Sequence, residues 1–377
     1  MKRYGRTTVH EFLGDFVVYR GLVPLDERLP PLDEVRRETN VPEGIIPRKG
    51  DPAYGRVIAH VLQRAQELNV PGAPIERLMY IGDTRMSDGN AFAAIGRAGR
   101  WPGTAFIASE TEKAGRPEIV EQRNAKLYLA NRWSAIAEFE GFFLRQGLSI
   151  DERTAIIVDL DKTALGARGR NDHVINQARV EAVRRTVENL LGAEFDQASF
   201  QIAYDRLNRS EFHPFTADNQ DYLAYICLVL GAGLYELDAL LERVRAGQMR
   251  TFRQFIAEVD ERTCDLPASL REIHERIYGR VQEGDPTPFK AFRRNEYITT
   301  VDRMGCLGDD ASVEELLAEE ILITQEVREA ALRWKAAGAL LFGLSDKPDE
   351  ASMPGQELAL QGYHSIHRME TDAVGSG

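Results

Sequence analysis

In the stretch AIIVDLDKTALGARGRN, residues 155 to 171, four apolar residues run straight into two aspartates, Asp159 and Asp161. A strand that ends in carboxylates two residues apart projects both to one side. Such a pair can hold a hard cation such as Mg2+, which favours oxygen ligands. It can also divide labour, with one group as nucleophile and the other as acid and base. A bare D-x-D pair alone reads more readily as a turn with a helix cap beyond it, so other strand ends decide. LMYIGDTRMSDGNAF ends an apolar run in Gly82 and Asp83 and sets Asp88 on the following loop. ALLFGLSDKP ends a third run at Ser345, a small hydroxyl able to hold a phosphate oxygen. IIPRKGDPAYG sets Lys49 just before a helix, a positive charge suited to a phosphoryl group and its nucleophile. Lys347, two residues past Ser345, competes for that role, but KGDP followed by a helix and GD favours Lys49. Two acid pairs, a hydroxyl and a lysine make up the side-chain set of a phosphoryl transfer.

These side chains need elements that bring strand ends together. Residues 52 to 68 place Val57, Val61, Leu62, Ala65 and Leu68 on one helical face, and the short strand LMYIG follows the turn NVPGAP. A small-residue loop is expected next, then a strand in KLYLANRW, a helix through SAIAEFEGFFLRQG stopped by Gly147, and the strand TAIIVDL. Between residues 175 and 335 the signals are almost all helical. Val180, Val183, Val187 and Leu190 share one face, as do Leu270, Ile273, Ile277 and Val281. The last of these helices is expected to open with a capping box, Ser312 to Glu315, and to run past Trp334 to Gly338. ALLFG then reads as a buried strand. Alternation of strand and helix at both ends predicts a doubly wound α/β core, where functional groups collect beyond the carboxyl ends of the strands.

Composition narrows the partners. Fifty-nine acidic against 47 basic side chains give 377 residues a net charge of −12. That argues against a nucleic-acid backbone or an anionic membrane as the main partner. The start, MKRYGRTTVHEF, lacks the apolar region of a signal peptide, and LAYICLVLGAGL is too short to span a bilayer, so a cytoplasmic protein is expected. Cys227, Cys264 and Cys306 match no C-x-x-C pattern, which argues against a disulfide framework or a zinc site.

At these motifs the chain resembles the haloacid dehalogenase (HAD) superfamily of phosphatases and phosphotransferases. DLDKT (Asp159 to Thr163) resembles the first motif, the serine of LFGLS (Ser345) the second, the lysine of RKGDP (Lys49) the third, and GDTRMSD (Gly82 to Asp88) the fourth. The resemblance implies that Asp159 attacks phosphorus to form an aspartyl-phosphate and that Asp161 protonates the leaving group and then activates water. It implies that Ser345 and Lys49 hold the phosphoryl group. It also implies Mg2+ between Asp159, Asp83 and Asp88, with Asp161 contributing its main-chain carbonyl. The second aspartate favours phosphate over halide chemistry. The expected activity is that of a phosphatase of a small phosphorylated metabolite; a phosphomutase on the same site and a non-catalytic binding module on a HAD-like core stay open.

The motif order departs from that family. Lys49 comes first, then Asp83 and Asp88, then Asp159 and Asp161, then Ser345; joining the chain's two ends on paper restores the usual order, as in a circular permutation. Either one chain assembles all four motifs or two chains exchange parts in a homodimer. The expected organisation is a Rossmann-like core from residues 1–168 and 336–377, with a large α-helical cap, residues 169–335, inserted after the first motif. Arg168 and Arg170, on the loop leaving Asp161, are candidate substrate-binding groups, with hinge ion pairs as the alternative. Lys290, Arg293 and Arg294 are either an anion clamp or an ordinary helix face. His173, His213, His364 and His367 carry no expected role.

Overall fold

The computed structural model of the chain describes residues 1–113, 115–123 and 125–376. They divide into two compact units, one of Met1–Gln177 with Thr300–Gly377, the other of Ala178–Thr299. Among the described residues, the first unit holds ten strands: β1 (Lys2–Thr7), β2 (Val17–Val18), β3 (Arg77–Gly82), β4 (Gly103–Ala108), β5 (Glu118–Gln122), β6 (Ala125–Ala130), β7 (Thr154–Asp159), β8 (Ile323–Thr324), β9 (Leu340–Leu344) and β10 (Thr371–Gly375).

Seven of them form one sheet in the order β2-β9-β7-β3-β4-β6-β5. Every pairing in it is parallel except that of β5 with β6. The central strands are buried along their whole apolar runs, Ala155–Val158 in β7 and Leu78–Ile81 in β3, as strands covered on both faces must be. Alternation sorts their side chains. Leu78, Tyr80, Ala155, Ile157, Leu340 and Phe342 pack with Val57, Val61 and Leu62 of the helix Pro52–Asn69. In β4, Phe106 lies 5.3 Å, centroid to centroid, from Phe139 of the helix Ile136–Arg145. This is a Rossmann-like α/β sheet. Its antiparallel edge, β5, exposes Glu118, Ile119 and Glu121, and charge on an edge strand discourages pairing with another chain.

Three expectations need correction. Leu68 is 40% exposed, because the buried stripe of Pro52–Asn69 stops a turn before the helix does. The expected small-residue loop after Asp88 is instead the helix Asp88–Gly99 and strand β4. Its small residues mark close approach rather than a loop: a Cβ on Gly55 would stand 2.4 Å from the Ala94 carbonyl oxygen of that helix. The single helix expected from Ser312 to Gly338 is two. The capping box opens Val313–Glu319, β8 interrupts, and Gln325–Ala336 follows, with Gly338 at φ 93° beyond it. The break falls at the buried run Ile321–Thr324, where Ile323 pairs with Ala373 of β10; a short apolar run reads equally as helix or strand.

That pairing belongs to a second sheet, β1-β10-β8, which joins the two ends of the chain. β1 and β10 are antiparallel, with Lys2 opposite Gly375, and the Arg3 guanidinium donates to both carboxylate oxygens of Asp372 at 2.7 and 2.8 Å. Residues 169–177 and 300–335 belong to this first unit.

Among its described residues the second unit consists of helices joined by short loops and contains no strand. Val183, Val187, Leu270, Ile277 and Val281 are buried in one core, with Val180, Leu190 and Ile273 packed against it. Arg293 serves that core, bonded to Asp221 and Glu296. Lys290 lies 3.2 Å from Asp285. Among the described residues, no helix is long and apolar enough to cross a membrane, and Cys227, Cys264 and Cys306 are free.

Candidate active site

β3, β7 and β9 are adjacent and parallel, so their carboxyl ends lie at one edge of the sheet. Ile81 is opposite Val158 and Asp159 is opposite Leu344. Asp83, Asp159 and Ser345 therefore leave neighbouring strand ends although they span most of the chain. Carboxylate oxygens of Asp83, Asp88 and Asp159 all lie within 4.8 Å of one another.

Lys49 ties the group together. It precedes the helix Pro52–Asn69 by a turn in which the Arg48 amide donates to Asp51 at 2.8 Å. Its ammonium donates to Asp159 Oδ1 at 2.5 Å and to Asp88 Oδ1 at 2.8 Å. Its side chain is only 5% exposed. Asp88 is fully engaged: Oδ1 also accepts from the Tyr80 hydroxyl at 3.1 Å, and Oδ2 accepts from the amides of Asp83 and Thr84 at 3.1 and 2.9 Å. Gly82 makes this possible, because a Cβ there would stand 2.7 Å from the Asp88 Cβ. Asp88 thus organises the loop, while Asp83 and Asp159 present oxygens with fewer donors. Asp83 accepts from the Thr84 hydroxyl at 2.9 Å and from the Arg168 guanidinium.

Burial sets the protonation of these groups. It lifts Asp159 well above the ordinary carboxylate range, reinforced by the charges of Asp88 and Asp83 and opposed by Lys49. Asp83 rises to about 6, from burial and then the neighbouring Asp88, with Arg168 opposing. For Asp88 burial works upward but is outweighed by the Lys49 ammonium and the hydrogen bonds from Lys49 and Thr84, so its pKa falls. Burial would lower Lys49; Asp159 and Asp88 more than reverse that and hold it charged. With all three carboxylates ionised, the Lys49 ammonium and the Arg168 guanidinium leave one negative charge in excess, which a divalent cation would neutralise.

The other sequence candidates fall at different distances from this centre. Asp161 sits on the loop after β7, its side chain 24% exposed and 3.9 Å from the Lys347 ammonium. Lys347 also reaches the Thr300 hydroxyl at 3.4 Å, so of the two lysines Lys49 is the one on Asp159. Ser345 is buried at the end of β9; its amide donates to the Val18 carbonyl at 3.0 Å and its hydroxyl accepts from the Lys347 amide at 3.1 Å. Arg168 pairs with Asp83. Arg170 does not present itself to a ligand: its five N–H groups go to Glu110, Glu326 and the Val374 carbonyl. His173 is exposed. Tyr80 was not singled out from the sequence, although a hydroxyl inside an otherwise aliphatic buried strand calls for a partner and was the available signal.

The donor set suits Mg2+. Ligand oxygens at about 2.1 Å from an octahedral ion stand about 3 to 4.2 Å apart, so the three carboxylates need to contract only slightly, with Lys49 or Arg168 giving way. Comparison with protein-family models, curated proteins and solved structures gives no match for this chain.

Proposed function

We propose that the chain is a Mg2+-dependent phosphohydrolase of a small phosphorylated metabolite, working through an aspartyl-phosphate on Asp159. The observation that carries this reading is the convergence of Asp83, Asp88 and Asp159 within 4.8 Å, with Lys49 bonded to two of them. An Asp159 oxygen attacks phosphorus in line as the ester P–O bond breaks. Asp161, partly open to solvent, gives its proton to the leaving oxygen. It then takes a proton from water, whose oxygen attacks phosphorus, so that inorganic phosphate leaves and Asp159 is restored. Lys49 steadies Asp159 and balances charge on the phosphoryl oxygens, and Ser345 offers its hydroxyl to one of them. Mg2+, held by Asp159 and Asp83 with Asp88 behind them, would neutralise charge and orient the phosphoryl group.

The motifs and their positions on adjacent strand ends support kinship with the HAD superfamily, and the helical unit, inserted between the first and second motifs, is read as its cap. Pairing of β1 with β10 supports a permuted motif order, because it brings together the two ends whose joining restores the usual one. The test is turnover of p-nitrophenyl phosphate with Mg2+. Asp159→Asn should lose nearly all of it while tryptophan fluorescence stays native, since an amide is no nucleophile. Unchanged turnover in that variant overturns the reading.

A further inference from the structure

The helical unit contains a cavity of about 440 Å3 that has no part in the chemistry above. Its floor is apolar, with Val187, Phe200 and Leu230 around the thiol of Cys227. That thiol is 2% exposed and has no hydrogen-bond partner among the described residues. The rim is acidic: Glu194, Asp196, Glu236 and Asp238 line it, and no described lysine, arginine or histidine does. Two of these carboxylates are already committed. Asp238 pairs with Arg206 at 2.5 Å, and Asp196 caps the helix Gln197–Leu207, accepting from the Ala198 amide and the Ser199 hydroxyl. Glu194 and Glu236 have no side-chain partner among the described residues.

We propose that this cavity binds a small organic cation, an ammonium carried on an apolar body of about phenylalkyl size. The volume lies within the range of about 300–1,000 Å3 typical of small-molecule sites. An apolar floor gains from removing hydrocarbon or aromatic surface from water. The two uncommitted glutamates supply the opposite charge at the mouth, where the ammonium keeps part of its hydration. An anionic ligand of the same shape meets four carboxylates and no described cation in the lining. This inference does not depend on the phosphatase reading.

The experiment is calorimetric titration of the full chain at low salt with three isosteres: 3-phenylpropylammonium, its neutral alcohol and its carboxylate. The ammonium should bind most tightly, with the carboxylate weaker by about ten-fold or more. Replacing both glutamates, Glu194→Gln with Glu236→Gln, should weaken the ammonium by about ten-fold and leave the alcohol unchanged. Ser199→Trp, at an exposed position on the lining, should block all three. With Cys264 and Cys306 replaced by serine, the ammonium should slow alkylation of Cys227. Equal binding of the three isosteres overturns the proposal, as does ammonium affinity indifferent to the glutamate pair, or no heat and no protection at about 10 mM.

Discussion

Replacing Lys49 with methionine keeps most of the aliphatic stem and removes the ammonium that, among the described residues, is bonded to both Asp88 and Asp159. Those two side chains are 2% and 5% exposed, so water cannot take over the lost charge. Removing one partner of a buried ion pair costs about 3–5 kcal/mol, because the remaining charge stays desolvated. Asp159 limits the loss by taking up a proton, its pKa being already raised by burial and by Asp88, which keeps the expected cost near 4 kcal/mol. For a unit of this size about 2–4 °C accompanies each kcal/mol, a fall of about 8–16 °C in Tm. Trp101, Trp133 and Trp334 all belong to the first unit, so tryptophan fluorescence during heating in EDTA reports on it alone. Adding Asp88→Asn to the variant should recover part of the loss, because Asp88, which accepts from two backbone amides and keeps its charge, is the carboxylate left without its counter-ion. A divalent cation at about one hundred times its Kd should restore about 2.7 kcal/mol. A loss below about 1 kcal/mol, or a double variant no more stable than the single one, would refute the reasoning that Lys49 compensates buried charge.

Other consequences are open to direct measurement. Mg2+ should raise the Tm of the unaltered protein, and Asp83→Asn should abolish most of that rise; an equal shift in the variant would remove Asp83 from the metal site. Arg170→Met strands Glu110 and Glu326 and should destabilise the first unit by about 3–5 kcal/mol, while the folded fraction keeps the KM of the proposed phosphatase activity; a raised KM with unchanged stability would make Arg170 a substrate-binding group. His367, whose pKa is pushed down to about 4 by burial with Asp15 opposing, stays neutral in the fold, whereas an unfolded histidine protonates near 6.5. Its contribution is present above pH about 6.5 and is lost as pH falls toward 4, about 3 kcal/mol in all. The stability difference between the native protein and His367→Gln should therefore narrow across that window, and a constant difference would contradict it.

Asp83, Asp159 and Ser345 were legible in the sequence as strand-end groups because each closes a largely apolar run, and such runs are what buried parallel strands require. TAIIVD, RLMYIG and LLFGL became β7, β3 and β9 for that reason. What was not legible depends on pairing between distant segments. β4 hides behind glycine and alanine that serve helix contact, and β8 is a two-residue strand recognisable only once β10 lies beside it. Arg170 reads as a binding group until Glu110 and Glu326, 60 and 156 positions away, are seen to enclose it. Asp88 likewise reads as a metal ligand from spacing, while its four donors, two of them backbone amides, emerge only from the folded loop.

The order of strands also fixes what a ribosome releases first. Lys49, Asp83, Asp88 and Asp159, with the strands β3, β4, β6 and β7, are all made before residue 160, so the acid group and its counter-ion can assemble on a partial sheet. β7 is central in the finished sheet, yet its neighbour β9 begins at Leu340. At about 5–20 residues per second, on the order of 10–40 s of synthesis separate the two. For that interval the run Ala155–Val158 is an open, apolar sheet edge, the kind of surface that recruits chaperones or another nascent chain. β2, made early, has β9 as its neighbour in the sheet and must wait as well. β1 waits longest, since Arg3 meets Asp372 across 369 positions. Aggregation during expression should therefore respond to the rate of translation between residues 160 and 340 more than to changes on the finished surface.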